Sequence, residues 1–130
     1  MAQPAKVLLD TNFLLIPGQF GVDIYTEIRE NCGPKSKLNI LRDSLKEIDK
    51  ILECGKGADK RASKLALDIL KAQQINIISS ESDSYVDDQI VELVDENWVV
   101  CTQDKGLKER VKAKKAKVLT LRQKKYLRFV

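Results

Sequence analysis

Residues 6–15 read KVLLDTNFLL: a lysine, three apolar residues, an acid, two small polar residues and a second apolar group. So short a run, apolar on both parities, suits a strand buried on both faces, and Asp10 with Thr11-Asn12 marks where it stops and a helix opens. The same order returns in WVVCTQD, residues 98–104. There Trp98 to Thr102 reads as a strand, and a basic helix follows Asp104 to about Ala113. Lys37 to Leu41, Ile75 to Ile78 and Lys117 to Leu121 supply three more strands, that at 75–78 read as fully buried. Helices are predicted between them. One spans Asp23 to Cys32, and one runs from an Asp43-Ser44 cap to Gly55 with Leu45, Ile48, Ile51 and Leu52 inward. Another spans Ala58 to Gln73 on a stripe of Ala62, Leu65, Ala66, Ile69 and Ala72. A Ser-rich loop, Ser79 to Ser84, precedes a Ser84-x-x-Asp87 capping box and a helix turned inward through Ile90, Val91 and Val94. Pro17-Gly18 and Gly21 predict an early break in the helix after Asn12. Strands alternating with helices predict an α/β fold with a central parallel sheet of about five strands and helices on both faces.

The chain's 130 residues fit one domain, read as 1–121 with a basic C-terminal tail at 122–130. No apolar run reaches the ~18 residues of a membrane span, and the N-terminus MAQPAKVLLD carries an acid where a secretory signal needs apolar residues, so a cytoplasmic chain is expected. Histidine is absent, which excludes Ser-His-Asp and Cys-His nucleophiles, His-bound zinc and His-pair ribonuclease chemistry. Cys32, Cys54 and Cys101 are odd in number and outside any C-x-x-C, and read as reduced core thiols. Charge is divided unevenly. Residues 105–130 hold 11 Lys/Arg against one acid, a net of +10, and the rest of the chain 12 against 18, a net of −6. A basic strip beside an acidic body suits a polyanion, although a solvated lysine-rich face has the same composition.

Ligands of open parallel sheets bind beyond the carboxyl ends of the strands. Those positions are acidic here. Asp10 ends the first strand, Asp104 follows the fourth, and Asp87 shares the heading of Ile90, Val91 and Val94. Glu47 lies one turn into its helix, at the flank of the apolar stripe. Asp88 points about 100° away from Asp87, and Asp83 in the preceding loop ranks lower. Alone, each acid is more commonly a helix cap or a surface charge, and Thr11, Asn12 and Thr102 are more commonly caps than ligand contacts. Converging without a partner, four carboxylates would raise one another's pKa values and destabilise the fold. A divalent cation removes that conflict, and an all-oxygen donor set selects Mg²⁺ or Mn²⁺, which can activate water against a phosphodiester.

LLDTNFLL (8–15), SLKEIDKI (44–51), YVDDQIVEL (85–93) and VVCTQDKGLKERV (99–111) together resemble the ordered acidic motifs of a PIN-domain nuclease, over residues 6 to about 121. Within that family the last two motifs are most similar to the PIN proteins of small-subunit ribosomal RNA processing. The resemblance implies a three-layer α/β/α PIN-like fold and Mg²⁺- or Mn²⁺-dependent endoribonuclease activity. Its catalytic and metal positions fall on Asp10, Glu47, Asp87 with Asp88 beside it, and Asp104, with Thr11, Asn12 and Thr102 as supporting polar residues. The chain departs from the family in lacking a zinc-binding module and any long accessory extension. The family often self-associates, but no patch in the sequence marks an interface.

The leading expectation is hydrolysis of RNA, structured ribosomal RNA in the first instance, with Lys105, Lys108, Arg110, Lys112, Lys114, Lys124, Lys125 and Arg128 on its phosphates. Tyr126 and Phe129 either stack on unpaired bases or dock the tail onto the body. Two alternatives stand: a non-catalytic PIN-like RNA-binding assembly factor, and a toxin-type ribonuclease of a toxin–antitoxin pair. A phosphoacceptor signalling domain fits less well, because the third strand ends in Ile78-Ser79-Ser80 where such a domain carries its acceptor Asp.

Overall fold

In the computed structural model, which describes residues 4–80 and 83–130, strand β1 (Lys6–Leu9) lies inside a single six-stranded sheet. Residues 1–3 and part of the Ser79–Ser84 loop lie outside the described residues. β2 (Lys37–Leu41) and β3 (Asn76–Ile78) extend the sheet on one side of β1. On the other side follow β4 (Trp98–Cys101), β5 (Lys117–Arg122) and β6 (Tyr126–Phe129), giving the order β3-β2-β1-β4-β5-β6. The first five strands are parallel. β6 is the sixth strand where about five were expected, and it runs antiparallel to β5. Gln123 and Lys124, at φ of 52° and 56°, make the tight hairpin turn that returns it. Its charges hid it in the sequence, yet Leu127 is buried and its backbone N–H donates to Glu27 Oε1 at 2.9 Å.

Side-chain alternation divides the core in two. Val7, Leu9, Ile40, Cys101, Leu119 and Leu121 face α1 (Ile16–Phe20), α2 (Ile24–Cys32), α3 (Arg42–Cys54) and α4 (Ala58–Ala72). Leu8, Val100 and Val118 face α5 (Val86–Leu93) and α6 (Lys105–Ala113), chiefly through Ile90, Val94, Leu107 and Val111. The result is the expected three-layer α/β/α arrangement, with six α-helices among the described residues. None of them is long and apolar enough to cross a membrane.

Local expectations are corrected in several places. β3 is a short edge strand with a neighbour on one side only, and it leaves Ile77 exposed while Ile75 and Ile78 are half-buried against the two core clusters. Pro17 and Gly18 sit inside α1, Pro17 in its first turn, where a missing N–H costs nothing, and Gly21 ends the helix at a left-handed φ of 67°. α4 buries Ala62, Ser63, Ala66 and Leu70 and leaves Leu65 exposed, because α1 approaches so closely that only small side chains fit between. Asp43 is not a cap: α3 starts one residue earlier, with Leu41 at the cap position. α5 starts at Val86 with Tyr85 at the cap position, so Ser84 lies one residue outside it. Cys101 is buried and Cys32 half-buried, but Cys54 is exposed at the end of α3 and is not a core thiol.

Candidate active site

The centre of the site follows from register. Leu9 of β1 pairs with Cys101 of β4, so the next residues, Asp10 and Thr102, leave the sheet side by side. The Asp10 backbone N–H extends the ladder to the Cys101 carbonyl at 3.0 Å. β1 connects toward β2 on one side while β4 lies on the other, so the two strands diverge at the switch point where open α/β sheets leave a crevice. There Asp10, 5% exposed, accepts from Thr102 Oγ1 at 2.9 Å and from the Thr11 backbone N–H at 2.8 Å.

Thr102 Oγ1 also accepts from the Asp104 backbone N–H at 3.1 Å, joining the ends of β1 and α6 through one buried hydroxyl. Asp104 caps α6 by accepting from the Leu107 N–H at 2.7 Å, and its side chain still lines the crevice. Glu47, one turn into α3, accepts from Thr11 Oγ1 at 2.9 Å. Asp87 comes from the first turn of α5, on the heading that buries Ile90 and Val94 below it.

Asp10, Glu47, Asp87 and Asp104 therefore line one cleft of about 620 Å³, together with Thr11 and Asn12. Asp88 does not line it. It accepts from Arg110 Nη2 at 2.8 Å and ties α5 to α6. Asp83 is exposed outside the cleft. Burial first, then the charges of Asp87 and Glu47, raise the Asp10 carboxyl from its ordinary 3.8 to about 6, against the lowering bonds from Thr102 and Thr11. Asp87 is likewise raised, by desolvation and then by Asp104, with Arg110 opposing. The acids thus face one another electrostatically as well as spatially.

The donor set is all oxygen, which suits a hard divalent cation. Among the described residues no three acidic or thiol side chains stand ready to hold an ion unaided. A cleft of that size with carboxylates spaced around it fits an ion that keeps several of its waters, as Mg²⁺ does, better than one enclosed in a protein cage.

Several lining residues had no signal strong enough to single them out: Asp43, Lys46, Ser84, Tyr85 and Val86. Asp43 lies four residues before Glu47, on the same face of α3, and that spacing was the available clue. Buried Gln89 of α5 donates from Nε2 to Asp43 Oδ2 at 2.7 Å and to the Ser84 carbonyl at 2.8 Å, clasping α5 to α3 across the cleft. Its amide holds the Asp43 carboxyl below the ordinary value.

The basic residues separate into two groups. Arg110 is paired with Asp88, and Lys114 Nζ donates to the carbonyls of Val91 and Glu92 at the end of α5. Lys124 lies 5.8 Å from the Phe20 ring centroid. Lys105, Lys108, Lys112, Lys125 and Arg128 make no ion pair among the described residues. Half-buried Lys108 has its pKa lowered by desolvation and then by Arg122 and Lys112, the signature of crowded cations. Tyr126 and Phe129 remain partly exposed, since Leu127 does the docking of β6.

Comparison with known proteins bears on the family and the fold. A family model described as a PIN like domain matches residues 7–124. Ribonuclease VapC4 of Methanocaldococcus jannaschii is 31% identical over 125 residues, 93% of each chain. The solved PIN domain endonuclease Utp24 is similar with a TM-score of 0.79 at 25% identity, over 97% of this chain and 91% of its own. A domain of a functionally unknown protein from M. jannaschii DSM 2661 shares the fold with a TM-score of 0.58 at 17% identity, over 91% of each chain. With the family model matched over nearly its whole length and that relative aligned almost end to end, the chain belongs to the PIN-like domain family.

Proposed function

We propose that the protein is a Mg²⁺- or Mn²⁺-dependent endoribonuclease of the cytoplasm, acting on structured ribosomal RNA in processing or assembly of the ribosome. The observation that carries this is the buried Asp10 carboxyl, held near a pKa of 6 in a cleft shared with Glu47, Asp87 and Asp104. Such mutual repulsion costs stability unless a cation relieves it. Asp10, Glu47, Asp87 and Asp104 are the residues that would hold the ion. When bound, it supplies positive charge for the phosphodiester and a water acidic enough to attack phosphorus. Thr102 and Thr11 keep the Asp10 and Glu47 carboxylates in place through their hydroxyls, and Lys105, Lys108 and Lys112 draw the RNA backbone to the cleft. Similarity to the PIN domain endonuclease Utp24 supports the nuclease chemistry, and ribosomal RNA is favoured by the resemblance of residues 85–93 and 99–111 to the motifs of ribosomal RNA processing PIN proteins.

The test is incubation with ribosomal RNA fragments and Mn²⁺, comparing wild type with Asp104→Asn. Internal cuts with 5′-phosphate and 3′-hydroxyl ends, lost by at least 100-fold in the variant, are expected on the scale of a removed charge-stabilising group. Cyclic phosphate ends, or equal cleavage by the variant, refute the mechanism. The similarity to Ribonuclease VapC4 supports ribonuclease chemistry and leaves a second reading, a toxin-type ribonuclease with the same centre and another RNA target. Growth arrest on expression, relieved by a small co-encoded protein, identifies that case.

A further inference from the structure

We propose that Tyr85 is the platform on which an unpaired nucleobase of the RNA stacks beside the carboxylate cleft, so that the preferred substrate is single-stranded or looped at the cut. The inference rests on the nuclease reading and adds to it a binding residue. Tyr85 lines the same cleft as Asp10 and Asp87, yet it is 85% exposed, the most exposed of the large hydrophobic residues described. An aromatic ring left so open contributes little to folding, because it buries almost no surface. Its mount is rigid by contrast. The Tyr85 carbonyl accepts from the Gln89 backbone N–H at 3.0 Å, and the preceding carbonyl, that of Ser84, accepts from the Gln89 side chain at 2.8 Å. Gln89 is itself 2% exposed and bonded to Asp43 across the cleft.

A two-torsion aromatic on a fixed backbone loses little conformational freedom when a flat partner covers it. Bases offer such a partner only when unstacked, which excludes the interior of a duplex. Lys46 lies on the facing wall of the cleft, its side chain 72% exposed beside Asp43 at 3.5 Å, and gives the adjoining phosphate a cation where the other walls are acidic.

The experiment uses the full chain, a short single-stranded RNA carrying 2-aminopurine, and the same sequence as a duplex, with Ca²⁺ in place of Mn²⁺ to slow cleavage. Wild type is expected to quench the 2-aminopurine in the single strand and to bind it more tightly than the duplex. Tyr85→Ala and Tyr85→Leu should bind about tenfold more weakly, within the range of a lost base–aromatic stack, and lose the quenching. Tyr85→Phe should retain both. Unchanged affinity and quenching in Tyr85→Ala overturn the proposal, while the nuclease reading survives if Asp104→Asn still abolishes cleavage. Wild-type protein that neither binds nor cuts RNA overturns both, and equal affinity for duplex and single strand overturns the substrate class.

Discussion

At the scale of single residues, Asp10 carries a measurable conflict between folding and function. Below about pH 3.8 its carboxyl is neutral in both the folded and the unfolded chain and has no effect on stability. Between there and about pH 6 the unfolded chain ionises while the folded one keeps its proton. The folded state then binds more protons, and stability falls as pH rises until the loss is complete above the folded value. Asp10→Asn removes that charge and keeps an acceptor for the Thr11 N–H. Without metal at pH 7.5 the variant should be more stable than wild type by about 2 kcal/mol, and the gain should vanish near pH 4. Thermal melts at the two pH values check this, and Mn²⁺ should raise the melting temperature of wild type far more than that of the variant. Asp10 was legible because a buried strand running straight into an acid is an unusual juxtaposition in any sequence. Tyr85 and Gln89 were not. Nothing local distinguishes an exposed tyrosine from a buried one, and the bond from Gln89 to Asp43 spans 46 residues.

At the scale of elements, the strand-to-helix alternation was readable because each buried strand is bounded by its own breakers, whereas the contacts between elements were not. The Ala58–Ala72 helix shows why: periodicity identified it, but its inward face was set by α1, which lies so near that a Cβ on Gly18 would fall 2.5 Å from Ala62 Cα. Ala62, Ser63 and Ala66 turn inward because they are small, and larger Leu65 is displaced toward solvent. Gly18→Ala should improve the intrinsic helix propensity of α1 and still destabilise the protein by about 1–3 kcal/mol, because overpacking between two helices outweighs propensity. Urea titration measures it. A stability equal to or above that of wild type contradicts the close approach of α1 and α4. β6 was hidden for a different reason. A strand of one arginine and two exposed aromatics, preceded by Lys124 and Lys125, resembles a polyelectrolyte tail until its single buried leucine finds a sheet edge.

For the whole molecule, the acidic body and the basic C-terminal fifth meet at the cleft, where α6 begins. α6 starts at Asp104 in the cleft and carries Lys105, Lys108 and Lys112 away from it. A phosphate chain approaching the carboxylates therefore meets repulsion at the centre and attraction beside it, and the balance shifts with salt. Composition alone counts all these lysines and arginines as one strip, but their structural roles differ. Arg110 and Lys114 hold α5 and α6 together through Asp88 and the last carbonyls of α5, whereas Lys105 and Lys112 make no ion pair among the described residues. If Lys105 and Lys112 each displace a counterion from single-stranded RNA, the slope of log affinity against log salt should shrink by about 0.7 for Lys105→Ala and again for Lys112→Ala. Lys114→Ala should leave the slope nearly unchanged and lower the melting temperature instead, through the carbonyls it abandons. Anisotropy titrations from low to moderate salt, paired with thermal melts, separate the two classes. A slope equally insensitive to all three substitutions would make the whole basic strip a solvated face and move RNA recognition to the cleft alone.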